Sequence, residues 1–198
     1  MAVKPFRKTV VTPVGTAIYP WLNTPDSRFG DPTYKVNLRL TGEDATKFIA
    51  QVDAIKEEAK AHLGVNDLVV PIVPALDDDK NEIPGAFDVK TKAKAFFKQA
   101  DGSMLENNLT IVDAQKNPMD ESAGTIWGGS KVKLALNVGA VATSIYQGLM
   151  LRINAVQVIE LVTGGQGGAN AFDKEDGFTA EPKPVAKVAE GEDETIDF

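Results

Sequence analysis

The 198-residue sequence predicts a mainly β fold: a small β-barrel with one inserted α-helix and a disordered acidic C-terminal tail. Apolar and polar residues alternate with period two in three separate segments, the mark of strands with one buried and one solvated face. One stretch between them repeats its apolar residues at three- and four-residue steps, as an amphipathic helix does. A glycine run, Gly164, Gly165, Gly167 and Gly168, then opens a Pro-containing stretch that ends in a block of acids.

The elements follow in chain order. Residues 9–19 are a short strand candidate, and residues 20–32, bounded by prolines, read as a loop holding Trp21, Arg28 and Phe29. Residues 33–40 place Tyr34, Val36, Leu38 and Leu40 on one face and Thr33, Lys35, Asn37 and Arg39 on the other. The helix is expected from about Gly42 to Leu63, with Phe48, Val52, Ile55, Ala59 and Leu63 on its buried stripe. Thr41 can cap it, Glu43 and Asp44 suit its first turn, and Gly64 can end it. Residues 71–84 read as a second loop, holding Asp77, Asp78 and Asp79. Residues 87–98 give the clearest alternation, Phe87, Val89, Thr91, Ala93, Ala95 and Phe97 against Asp88, Lys90, Lys92, Lys94, Phe96 and Lys98. Residues 108–113 are a second short candidate. Residues 131–138 set Val132, Leu134, Leu136 and Val138 against Lys131, Lys133, Ala135 and Asn137. Residues 145–162 read as a further strand with Leu151, Ile153 and Ala155 buried. One helix among five or more strands describes a mixed barrel, for which an oligonucleotide-binding (OB) Greek-key barrel is the natural candidate.

This divides the chain into a core at residues 1–163, a flexible Gly/Pro-rich linker at 164–189 and an acidic interaction tail at 190–198. Residues 173–198 hold nine acids against three lysines, so nearly all of the chain's net charge of −7 sits there. A terminal acid block resists packing because like charges repel and extend the chain. It can serve solubility alone, but Ile196 and Phe198 give this tail apolar anchors that a solubility tail does not need. The chain has no cysteine, which excludes disulfides and thiolate chemistry and fits a reducing cytoplasm. Lys4, Pro5, Arg7 and Lys8 interrupt the start before a signal-peptide run can form, and no later stretch is expected to enter a membrane. A cytoplasmic protein is the expectation.

Three strands carry lysine or arginine on their polar side. Alternate residues on a strand lie about 7 Å apart, similar to successive phosphates of an extended single strand, so such a face can follow one by counterion release. Aromatic rings beside it can stack on unpaired bases. The candidate nucleic-acid-binding residues are therefore Lys35, Arg39, Lys90, Lys92, Lys94, Lys98, Lys131 and Lys133, with Arg28 in the first loop and Trp21, Phe29, Phe96 and Trp127 for stacking. The plain alternative is an ordinary solvated sheet face, with the aromatics plugging the barrel ends.

Catalysis finds little support. His62, the single histidine, falls in the last helical turn, where it suits the helix end better than proton transfer. Asp77, Asp78 and Asp79 lack the spacing of a calcium loop, and the glycine run lacks the Lys-Ser/Thr of a phosphate cradle. No enzyme, cofactor or metal is expected. A scaffold module whose tail docks on a basic partner is the rival reading, with a metal-dependent nuclease built on the three aspartates behind it.

The blocks TPVGTAIYPWLNTPDSRFGDPTYKVNLRL, WGGSKVKLALNV and GLMLRINAVQVIEL resemble the phage single-stranded-DNA-binding proteins of the podovirus replication type, over most of residues 10–163. That family has an OB-fold core and an acidic C-terminal tail ending in Phe. The resemblance implies a replication and recombination protein that coats single-stranded DNA in an infected bacterial host, as a monomer or weak homodimer. It also implies recruitment of the phage DNA polymerase and primase-helicase through Glu192, Asp193, Glu194, Asp197 and Phe198. This tail is milder than the pattern, since Thr195 and Ile196 break its acidic run, and the core is nearly neutral.

Overall fold

The structure, a computed structural model, describes residues 5–28, 30–120 and 123–162. These fall in one compact unit, Met1–Gly165. The acidic tail and its linker, on which the tail assignments rest, lie outside the described residues.

The strands are β1 (Arg7–Val11), β2 (Gly15–Asp26), β3 (Thr33–Thr41), β4 (Ile72–Leu76), β5 (Glu82–Lys94), β6 (Phe96–Lys98), β7 (Met104–Glu106), β8 (Thr110–Val112), β9 (Lys131–Ala142) and β10 (Gln147–Glu160), with helix α1 (Gly42–Leu63) between β3 and β4. Five of them form a ring in the order β9-β2-β3-β5-β10, and β10 returns to β9. That is the Greek-key ring order of an OB-type barrel, and the mainly β expectation holds.

The ring is uneven, and its seam lies between β5 and β10. These two parallel strands share one paired position, Lys92 opposite Arg152. The remaining edge of β10 is covered by other segments. Val69 bridges to Gly148 at one end, and β8 pairs with Ala155, Val156 and Gln157 at the other. Two short segments, with the single β5 pairing between them, thus satisfy an edge whose backbone groups would otherwise be unpaired.

The period-two pattern fills the interior as expected except at Ala155, which a register shift after Ile153 leaves half-buried while Val156 and Val158 turn inward. Tyr34, Val36, Leu38 and Leu40 of β3, Val132, Leu134, Leu136 and Val138 of β9, and Leu151 and Ile153 of β10 all join one core cluster. Helix α1 matches its expected bounds, and it adds Ala45, Phe48, Val52, Ile55 and Ala59 to the same core. Gly64 ends it in the left-handed region, φ 67°, donating its N–H to the carbonyl of Lys60. Thr41 stands at the N-cap without a side-chain hydrogen bond, so the cap is conformational only. His62 lies at the far end of the helix with its ring 5.7 Å from that of Phe6.

Four further expectations need correction. Residues 9–19 are two strands, broken after Val11, where the buried Thr12 hydroxyl accepts the N–H of Leu134. The Pro20–Pro32 stretch is largely strand, since β2 runs on to Asp26. The Pro71–Pro84 stretch holds β4 and the start of β5, joined by a tight turn in which Asp77 caps Asn81. In both cases proline sits where a strand tolerates it, at a bulge or an edge. Finally, Phe97 is exposed. The alternation of β5 stops at Ala95, whose N–H is donated to the carbonyl of Pro32, and β6 turns away to pair only with β7.

Candidate nucleic-acid interface

The polar faces of β3 and β5 lie side by side on the outside of the ring. Their register sets Thr33 opposite Lys94, Lys35 opposite Lys92, Asn37 opposite Lys90 and Arg39 opposite Asp88. Because β2 pairs with β3 and β10 meets β5, one row continues across four strands. It runs Trp21, Lys35, Lys92, Arg152. At about 4.8 Å per strand, that row crosses roughly 15 Å of surface.

The end of the row at Trp21 is built by a β-bulge. On β2, Ile18 opposes Asn37 and Trp21 opposes Lys35, so the strand gains one residue between them. The side chains change parity there. Before the bulge Ala17 points inward, and after it Leu22 does, which turns Trp21 out beside Lys35.

Asp26 organises the charges at this end. Its carboxylate is almost fully buried, with the side chain 3% exposed, and it accepts Arg28 Nε at 2.9 Å, Arg28 Nη2 at 3.2 Å and Lys35 Nζ at 2.6 Å. It also accepts the backbone N–H of Arg28 at 3.1 Å, which closes the turn after β2. The side-chain hydrogen bonds from Arg28 and then Lys35 hold its pKa far below the usual carboxylate range, and the same pairing raises that of Arg28. The tethered guanidinium lies 4.5 Å over the Trp21 ring, a cation–π contact. Arg28 and Lys35 are therefore fixed cations whose outer faces remain open to solvent.

The other predicted residues divide by environment. Lys90, Lys92 and Lys94 are exposed along β5; Lys94 reaches Asp31 at 3.5 Å, and Lys90 and Lys92 have no ion-pair partner among the described residues. Arg39 differs. It is bound to Asp88 by two hydrogen bonds of 2.8 and 3.0 Å and to the Leu76 carbonyl, so it serves the fold, and its pKa is raised chiefly by Asp88. Phe96 and Lys98 stand on the exposed β6–β7 hairpin beyond Lys94. Lys131 opposes Thr16 and donates to its hydroxyl at 2.7 Å, and Lys133 lies further along β9, four residues from the Asn137 that neighbours Arg152. Neither belongs to the central row. Trp127 sits 52% exposed on the segment before β9. Phe29 lies outside the described residues.

Sequence reading missed Arg152 and Tyr19. Arg152 breaks an apolar strand, and a lone cation in the run LMLRINAV is the signal that marks an outward position. Tyr19 gives no such signal, because its exposure comes from the bulge. Among the described residues no cluster of His, Cys, Asp or Glu could hold a metal, and no helix is long and apolar enough to cross a membrane.

No family model matches the chain. In sequence it is similar to the single-stranded DNA-binding protein of Enterobacteria phage T3, 29% identical over 204 residues, covering 88% of this chain and 87% of that protein. In structure it is similar to gp2.5, a single-stranded DNA-binding protein encoded by bacteriophage T7, with TM-score 0.65 and 23% identity, covering 89% of this chain and all of the other. It is also similar to the single-stranded DNA-binding protein of bacteriophage Enc34 in complex with single-stranded DNA, with TM-score 0.58 and 17% identity, over 77% of this chain and 86% of that one. The resemblance drawn from the sequence blocks is borne out, and the chain shares the fold of these phage proteins. All are named for binding, none for catalysis.

Proposed function

We propose that this chain, which shares its fold with phage single-stranded DNA-binding proteins and resembles one of them over most of its length, binds single-stranded DNA without sequence preference. The observation that carries the reading is the row Trp21, Lys35, Lys92, Arg152 across the β2, β3, β5 and β10 positions of the ring, flanked by Lys90 and Lys94. OB-type barrels bind oligonucleotides on this part of the barrel. The cations meet phosphates, and the aromatic end of the row stacks on bases, with Phe29, Phe96 and Trp127 as further stacking residues and Lys98, Lys131 and Lys133 as peripheral cations. Ion pairs to phosphates and stacking on the π-face of a base are open to every base alike, which favours sequence-independent binding.

The protein acts in phage DNA replication and recombination, inside the infected bacterium. Its acidic tail, through Glu192, Asp193, Glu194, Asp197 and Phe198, competes for the basic face. When DNA displaces it, the tail recruits the phage DNA polymerase and primase-helicase. The charge contrast supports this: residues 173–198 carry a net −6, while Lys90, Lys92 and Lys94 stand exposed along one face of β5.

The test is fluorescence anisotropy of a labelled oligothymidine across a salt series, with duplex as competitor, using the full chain and a version ending at Ala189. Binding that prefers single strands, weakens with salt and strengthens on truncation is expected. Replacing Lys90, Lys92 and Lys94 together with Ala should reduce the log–log salt slope by about 2, at about 0.7 per phosphate contact. Absence of binding at low salt, with capture of a basic protein by the tail, would instead establish the scaffold reading.

A further inference from the structure

The bulge in β2 leaves Tyr19 in a conformation that its residue type disfavours. Its φ is 50°, in the left-handed region, and the following residue is Pro20. A bulky side chain rarely adopts positive φ, and a residue before proline is pushed towards extended backbone. Strain of this kind persists only where surrounding structure imposes it, and it collects at binding sites. Here it presents a tyrosine ring that is 79% exposed.

The ring stands at a cleft of about 520 Å³ between β2 and the segment before β9, within the range of small-ligand sites. Tyr19, Trp21 and Trp127 line it, with Arg28 at its edge. Its walls are joined by polar clamps. Asn23 accepts the N–H of Ile126 at 2.8 Å, and Gly129 donates its N–H to the Ala17 carbonyl at 2.9 Å. An exposed aromatic on each wall, a half-buried one beside Tyr19 on the β2 wall and a tethered cation in the lining match an unstacked base with its phosphate.

We infer that this cleft is a discrete subsite for one unstacked nucleobase, with Tyr19 and Trp127 as its stacking walls and Arg28 receiving the adjoining phosphate. This rests on the proposal that the chain binds single-stranded DNA, and it adds a fixed point on a path otherwise set by charge. The bulge is what creates the site: it adds the residue that turns Tyr19 and Trp21 to the outside together.

The chain's two tryptophans both line the cleft, so tryptophan fluorescence reports on it. The full-length protein is titrated with oligothymidine and with an abasic sugar-phosphate oligomer of the same length. Tryptophan quenching by the first and not by the second is expected. Tyr19→Gly should lower affinity for oligothymidine on the order of 10-fold or more and leave affinity for the abasic oligomer unchanged. Its melting temperature should be equal or higher, because glycine relieves the strained backbone. Trp127→Ala should reproduce the binding loss. Equal quenching by both oligomers, or a Tyr19→Gly protein that binds oligothymidine as the parent does, overturns the subsite while leaving phosphate-driven binding intact. A parent protein that binds neither oligomer overturns the DNA reading and the subsite together.

Discussion

Asp26 shows how one buried acid can fix the geometry of a basic surface. The carboxylate subtracts one charge from the face, but it is sequestered beneath two cations and holds Arg28 and Lys35 in place with their open sides towards solvent. Its depressed pKa fixes the sign of a pH dependence. A carboxyl group more acidic in the folded than in the unfolded state contributes stability that is present above about pH 4 and is lost as the pH falls below it. Asp26→Asn should therefore lower the melting temperature at neutral pH, and the gap to the parent should narrow steadily as the pH is taken below about 4; thermal melts at several pH values check this. Arg152 and Arg39 offer a contrast between similar side chains. Arg152→Ala should reduce the salt slope of DNA binding by about 0.7. Arg39→Ala should leave the slope in place and cost about 1–3 kcal/mol of stability, because Asp88 is left in the sheet without its partner. Chemical denaturation and anisotropy of both variants separate the roles.

At the scale of elements, the barrel depends on close approach as much as on patterning. Gly15 begins β2 where a Cβ atom would lie 2.7 Å from Leu38 Cγ and 2.8 Å from the Arg39 carbonyl oxygen. The backbone oxygen cannot yield as a flexible side chain could. Gly15→Ala should destabilise the protein by about 1–3 kcal/mol, measured as a lower urea midpoint, without changing the charges on the outer face. Helix α1 contributes differently, through a stripe that joins the core. Phe48→Ala should cost about 3–5 kcal/mol, which the same urea series would record. The bulge in β2, the turn closed by Asp26 and the edge of β10 covered in three places all lie beside the row, so irregular backbone gathers at the proposed interface.

For the whole molecule, binding and stability are linked. A ligand held only by the folded state at 100 times its dissociation constant adds about 2.7 kcal/mol. For a chain of this length that corresponds to a rise in melting temperature of roughly 5–10 °C. Oligothymidine should produce that rise at low salt and lose it at high salt, whereas duplex of equal length should produce less; differential scanning fluorimetry with an extrinsic dye is enough to see it. The amino-acid sequence by itself determined the mainly β class, helix α1 from cap to cap, the inward residues of β3 and β9 with Leu151 and Ile153 of β10, and the basic outer side of β5. These are local properties, carried by a period of two or 3.6 along the chain and by Gly64 at the helix end. It also misled where proline was taken for a loop, since a proline's damage to a strand depends on whether a neighbour needs its missing N–H. Only the tertiary structure decided that Trp21, Lys35, Lys92 and Arg152 share one row, that Arg39 is bound to Asp88, and that a bulge exposes Tyr19. Each of these follows from the register between strands far apart in the chain, which depends on the packing of the whole barrel and leaves no local pattern in any one strand.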